Sequence, residues 1–136
     1  QSFIVLVDSE RKLQMYTESI PQAAYDIIDY AERPTTIVYE TGKNVSSKVL
    51  HEDGSIAIRF CRDGFCKQIL QRLKTGLVST SANISGQPFD GTFVQIDPDI
   101  QSQVDMIVQP TTPVNTSKPS SIIRIDNDST VKIIRK

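Results

Sequence analysis

Apolar positions in this chain alternate between short, mostly β-branched runs and stretches with helical spacing. Phe3–Val7 is a continuous apolar run, the pattern of a buried strand in a mostly parallel sheet. Asp8 and Ser9 can cap a short helix from about Glu10, on which Leu13 and Tyr16 share one face. Pro21 sits where a first helical turn accepts proline. Ala24, Ile27, Ile28 and Ala31 then recur at helical spacing, opposite Asp26, Asp29 and Glu32. That helix ends before Pro34, which disfavours helical geometry at Arg33.

Thr35–Tyr39 reads as a second strand and Ser55–Phe60 as a third, with turns at Thr41–Asn44 and Glu52–Gly54. Val45–His51 stays ambiguous, with a short helical turn as one option. Phe65, Ile69, Leu70 and Leu73 mark an amphipathic helix over Gly64–Lys74, whose Lys67, Arg72 and Lys74 read as an ordinary solvated face. Gly76 precedes Leu77-Val78, a short buried strand. Asp97-Pro98 can start a helix, and Met106–Val108 is a candidate short strand. Gln109–Ser120, with three prolines, is the loop or lid candidate. Ser121–Ile125 and Val131–Ile134, split by Asn127-Asp128, predict a closing hairpin. Strands alternating with helices and ending in a hairpin predict an α/β fold, a twisted mixed sheet of parallel and antiparallel strands flanked by helices.

With 136 residues, one compact domain is expected. Hydrophobic residues at 38% and charged ones at 23% exclude a disordered tail, and no apolar run approaches bilayer length, so no membrane partner is expected. The net charge of −1 gives no broad electrostatic grip on nucleic acid. Cys61 and Cys66 have too few companions for zinc, since His51 is the one histidine; reduced thiols in a cytoplasmic protein are expected. The chain opens almost directly on a strand and without methionine, as the later part of a longer protein would.

Catalytic sets of the familiar kinds are missing from the sequence. No residue near His51 makes it half of a triad, and there is no phosphate-binding Gly-x-x-x-x-Gly-Lys. An enzyme of this sequence would work by holding charged substrates together and stabilising developing charge. Leu77–Pro88, LVSTSANISGQP, packs Ser79, Thr80, Ser81, Asn83 and Ser85 into one short loop. Such a loop is either a simple turn closing a βα connection or an anion-accepting loop that lets backbone N–H groups approach closely. Arg59 lies near the end of an apolar strand, where it meets either a bound anion or a structural partner such as Asp63. Arg59, Ser79, Ser120 and Arg135 stand at strand ends that can converge on one edge of the sheet, where open α/β sheets bind ligands.

Ser79–Gly86 resembles the T-S-A-N-x-S-G signature of the YrdC-like threonylcarbamoyl-AMP synthases. The likeness runs along nearly the whole chain in order. Ser55-Ile56-Ala57-Ile58-Arg59 is similar to the family's Thr-Val-Ala-Val-Arg strand, Pro119-Ser120-Ser121 to its Pro-Ser-Thr, and Ile133-Ile134-Arg135 to its closing strand. Pro34-Thr35-Thr36 is similar to the end of a Pro-Gly-Pro-x-Thr motif, with Glu32 and Arg33 in place of Pro-Gly. Cys61 and Gly76 stand where the family carries prolines, and its Pro-Thr-Asp-Thr strand and Lys-x-Arg motif are not among these residues.

The resemblance implies a single YrdC-like domain over residues 1–136 that lacks its N-terminal portion, with a concave cavity on a mixed sheet. It implies a parent protein that joins L-threonine, bicarbonate and ATP into threonylcarbamoyl-AMP, assisted by Mg2+, for modification of tRNA in the cytoplasm. By position, Ser55, Ser81 and Arg135 would contact the nucleotide, with Asn83 ordering the loop. Arg59 would serve catalysis and, with Ser79 and Ser120, face the threonine. The partners implied are tRNA or double-stranded RNA and the proteins of tRNA modification. A non-synthase YciO-like relative binding nucleotide or RNA, and an RNA-binding module of translation, are the alternatives.

Overall fold

The computed structural model of the chain describes residues 2–62, 64–87, 91–109 and 119–136. It divides into two compact units, one of Ser2–Thr80 with Ser120–Lys136 and one of Ser81–Pro119. The first unit is built on six strands: β1 (Ile4–Val7), β2 (Thr35–Tyr39), β3 (Ile56–Phe60), β4 (Leu77–Ser79), β5 (Ser121–Ile125) and β6 (Val131–Arg135). They form one sheet in the order β4-β1-β3-β2-β5-β6. β1–β3 and β2–β5 pair parallel, whereas β1–β4, β2–β3 and β5–β6 pair antiparallel. The sheet is therefore mixed, as the overall pattern predicts, and not mostly parallel as the Phe3–Val7 run suggests. A strand covered on both faces has the same apolar pattern whichever way its neighbours run.

Helices α1 (Glu10–Tyr16) and α2 (Gln22–Tyr30) cover one face. Leu13, Tyr16 and Ala24 pack there against Val5, Val7, Ile37, Tyr39, Ile56, Ile58 and Ile125. Helix α3 (Gly64–Arg72) serves the other face, where Leu70 joins Leu6 and Cys61, with Ile4, Cys66 and Leu77 against them. Neither Cys61 nor Cys66 is in a disulfide. Lys12 ties these layers together. Its ammonium lies 2.7 Å from Asp8 Oδ1 and donates to the Leu70 carbonyl near the end of α3, where a helix dipole favours positive charge.

Several boundaries differ from the sequence pattern. α3 stops at Arg72, while Val45–His51, open from sequence, holds a single turn over residues 47–49. β4 is an edge strand and not a buried one: Val78 is 49% exposed. Met106–Val108 forms no strand and is exposed. Three β-prone residues supply only a weak preference, and a ladder needs a partner that the described residues do not give them. In the second unit a 3-10 turn over Phe93–Gln95 precedes α4 (Pro98–Gln103), which Asp97 caps by accepting from Asp99 N at 2.8 Å. A three-residue 3-10 turn carries no periodic signal to read. Asp63, Pro88 and most of the Gln109–Ser120 loop lie outside the described residues.

Candidate functional site

Side chains alternate across a strand, so the residues packed under α1 and α2 fix the rest. Ile56, Ile58 and Phe60 belong to that core, which sends Ala57 and Arg59 of β3 to the opposite face. Registration then builds a row across the sheet on that opposite face. Arg59 lies beside Leu6 of β1 and Thr36 of β2, Thr36 beside Ile122 of β5, and Ile122 beside Arg135 of β6.

Arg135 reaches this row through a bulge. Ile123 pairs with Ile133, yet Ile122 pairs with Arg135, so Ile134 is an extra residue in β6. Without it, Arg135 would fall on the same face as Ile133. The bulge turns it over, as bulges at sheet edges do. Its Nε and Nη2 donate to the Ser120 carbonyl at 3.1 and 2.8 Å. Ser120 is also held by its side chain, whose Oγ lies 2.9 Å from Thr36 Oγ1. The segment is anchored by Ser121 N donating to the Pro34 carbonyl at 3.0 Å. Thr36 is fully buried and Ser120 nearly so, at 7% exposed, so Ser120 is the less enclosed of the two.

Two guanidinium groups thus flank two hydroxyls at one end of one sheet face. Among the described residues, Arg59 and Arg135 form no ion pair with a carboxylate. Arg135 is exposed, whereas Arg59 is half-buried, where a guanidinium without a counter-charge is costly; a planar donor fork of this kind suits carboxylate or phosphate oxygens. The structure brings together Arg59, Ser120 and Arg135 of the residues singled out by sequence.

Ser79 does not join them. It pairs with Ile4, at the far end of antiparallel β4. Ser55 is farther still, four residues or about 13 Å along β3 from Arg59. It is fully buried, donating Oγ–H to Asp53 Oδ1 at 2.6 Å and accepting from His51 Nδ1 at 2.9 Å. Arg124 binds Asp53 Oδ2 and Asp126 Oδ1, both at 2.7 Å. The Ser55 hydroxyl, with Arg124 behind it, holds Asp53 well below the usual carboxylate range. His51, Ser55 and Asp53 do not make a nucleophile, because the serine proton is directed at the carboxylate and the hydroxyl is sealed from substrate.

Ser81 and Asn83 lie in the other unit, Ser81 exposed and Asn83 half-buried, with Asn83 Nδ2 donating to the Ile84 carbonyl at 3.2 Å. A cavity of about 290 Å3 lies on the α1–α2 side, lined by Gln14, Thr17, Glu18, Ile20, Tyr25 and Lys43. Its hydroxyls are engaged: Tyr25 donates to Glu10 at 2.8 Å and Thr17 to main-chain carbonyls. The row on the opposite face is the better candidate.

Sequence reading missed Thr36 and Arg124. Threonine in TTIVY is unremarkable as a β-branched residue; only its place opposite Ile37 and Tyr39 in the alternation marks it as facing Arg59.

Over residues 1–136 the chain matches the Sua5/YciO/YrdC family model, described as "Telomere recombination". Among solved structures it is similar to a doubly substituted Sua5 of P. abyssi, with 18% identity and a TM-score of 0.79 over 99% of this chain and 41% of that one. It is also similar to full-length HypF in its phosphate- and nucleotide-bound form, with 14% identity and a TM-score of 0.77 over 99% of this chain and 21% of that one. The solution structure of the MTH1692 protein from Methanobacterium thermoautotrophicum gives 21% identity and a TM-score of 0.66, covering 100% and 63%. At such identities the likeness is one of fold. The chain spans about two-fifths of the Sua5 chain and one-fifth of the HypF chain.

Proposed function

Because the chain belongs to the Sua5/YciO/YrdC family, we propose that its full-length protein is a cytoplasmic threonylcarbamoyl-AMP synthase, acting on L-threonine, bicarbonate and ATP in tRNA modification. The observation that supports this reading is the row of Arg59, Thr36, Ser120 and Arg135, in which neither arginine is ion-paired to a carboxylate among the described residues. In this reading the threonine amine takes up CO2 from bicarbonate to give a carbamate. A carbamate oxygen attacks the α-phosphorus of ATP, and pyrophosphate leaves.

Arg59 and Ser120 are assigned to the threonine and its carboxylate, and Arg59 also steadies the developing charge; Ser79, apart from them on β4, has that role from the family resemblance alone. Arg135 is assigned to the nucleotide; for Ser81, in the other unit, a nucleotide contact with Asn83 ordering its loop is proposed from the family resemblance alone. Ser55 would act by fixing the Asp53 turn, since its own hydroxyl is already donated. Among the described residues no group of three acidic, histidine or cysteine side chains could hold a metal ion, so no step is assigned to Mg2+. Partners are proposed at the same level: tRNA or double-stranded RNA, and proteins that take over the adduct.

The test is pyrophosphate release by the full-length protein. Release that requires both threonine and bicarbonate, with the AMP adduct found by mass spectrometry, is the expected result. Nucleotide turnover indifferent to threonine would overturn the synthase reading in favour of a YciO-like relative that binds nucleotide or RNA.

A further inference from the structure

The hydroxyl pair of Thr36 and Ser120 has a direction that its surroundings select. Each oxygen carries one proton, and only one of the two can lie along the 2.9 Å contact. If Ser120 donates, its proton points inward and the less enclosed hydroxyl of the row offers an incoming anion nothing but lone pairs. If Thr36 donates, the Ser120 proton is left to point outward. Thr36 is fully buried and has no use for an outward proton of its own. An anion drawn in by Arg59, the cross-strand neighbour of Thr36, stabilises the second arrangement.

The Ser120 main chain is meanwhile pinned by two donors from Arg135 and by the Ser121 N–H to Pro34 contact. Neither the hydroxyl rotor nor its backbone then has to be ordered when ligand arrives. We infer that Thr36 is a positioning residue, which donates to Ser120 so that the Ser120 hydroxyl is held as a donor toward a bound carboxylate or phosphate. The inference rests on the functional reading above for the identity of the anion as threonine, and on geometry alone for the existence of an anion.

Binding of L-threonine and, separately, of inorganic pyrophosphate to the full-length protein by titration calorimetry tests it. Thr36→Val keeps the shape and removes the hydroxyl, and should weaken binding of the anion that uses the row about 3- to 10-fold. Thr36→Ser should restore it. Ser120→Ala should weaken binding as much, and adding Thr36→Val to Ser120→Ala should cost little more, because the two act as a unit. Melting temperatures identify any variant that fails to fold. Wild-type affinity in a folded Thr36→Val protein overturns the inference and leaves the functional reading standing. The same variant pattern with pyrophosphate, in a protein that does not bind threonine, upholds the inference and sinks the threonine assignment. Binding of neither anion overturns both.

Discussion

Arg59 is a charge placed on a strand whose other residues are apolar, beside two hydroxyls and no described carboxylate. A residue kept for stability would not be left in that condition, because an unpaired, partly desolvated guanidinium costs free energy. Arg59→Met should therefore leave the melting temperature unchanged or slightly higher. The same variant should lower kcat/KM of the full-length protein for threonine by about 10-fold or more, the worth of a hydrogen bond to a charged group. A melting temperature that falls by many degrees would make Arg59 a structural residue instead. The sequence exposes this position plainly, since one charge interrupts SIAIRF. Arg135 is legible as a residue near a strand end, but its face is not. One bulge at Ile134 decides that, and the β-branched pair Ile133-Ile134 carries no mark of where it will bulge.

Elements show the same division between what pattern specifies and what packing adds. All six strands and the helices from Glu10, Gln22, Gly64 and Pro98 are legible in periodicity, caps and proline placement. What the pattern could not give is the attachment of one layer to another. Nothing in the sequence pattern singles out Lys12, yet its ammonium is buried against Asp8 and the last turn of α3. It joins α1, the end of β1 and α3, and so bears on the strand that lies beside Arg59. Lys12→Met strands the Asp8 carboxylate, whose side chain is only 8% exposed. Breaking such a pair from one side costs about 3–5 kcal/mol, visible as a lower urea midpoint. Replacing both partners, Asp8→Leu with Lys12→Met, should recover most of that loss. An unchanged midpoint in Lys12→Met alone would show that the ion pair holds nothing together.

Across the whole molecule, one sheet face carries two chemistries at its two ends. At the Arg59 end positive charge has no acidic partner among the described residues, whereas at the Ser55 end Arg124 and Lys132 are balanced by Asp53 and Asp126. The balanced end clasps the Asp53 turn to the β5–β6 hairpin, and its effect has a definite pH signature. Asp53 is lowered from an ordinary value of 3.8, first by the Ser55 hydroxyl and then by Arg124. As pH falls below about 4, the unfolded chain takes up the Asp53 proton before the folded chain does. The stabilisation is present in full above that range and drains away as acid approaches the depressed value. Half of the Asp53 side chain is exposed, so solvent screening holds the contribution to about 1 kcal/mol or less at neutral pH. Asp128, lowered by Thr130 in the hairpin turn, shifts in the same sense. Asp53→Asn should therefore lower the urea midpoint at pH 7 and make the loss from pH 7 to pH 3 smaller than in the wild type, without abolishing it. Parallel pH profiles for the two proteins would mean that the clasp stores no proton-linked stability. The link between β5 and the turn before β3 would then rest on the β2 pairings alone.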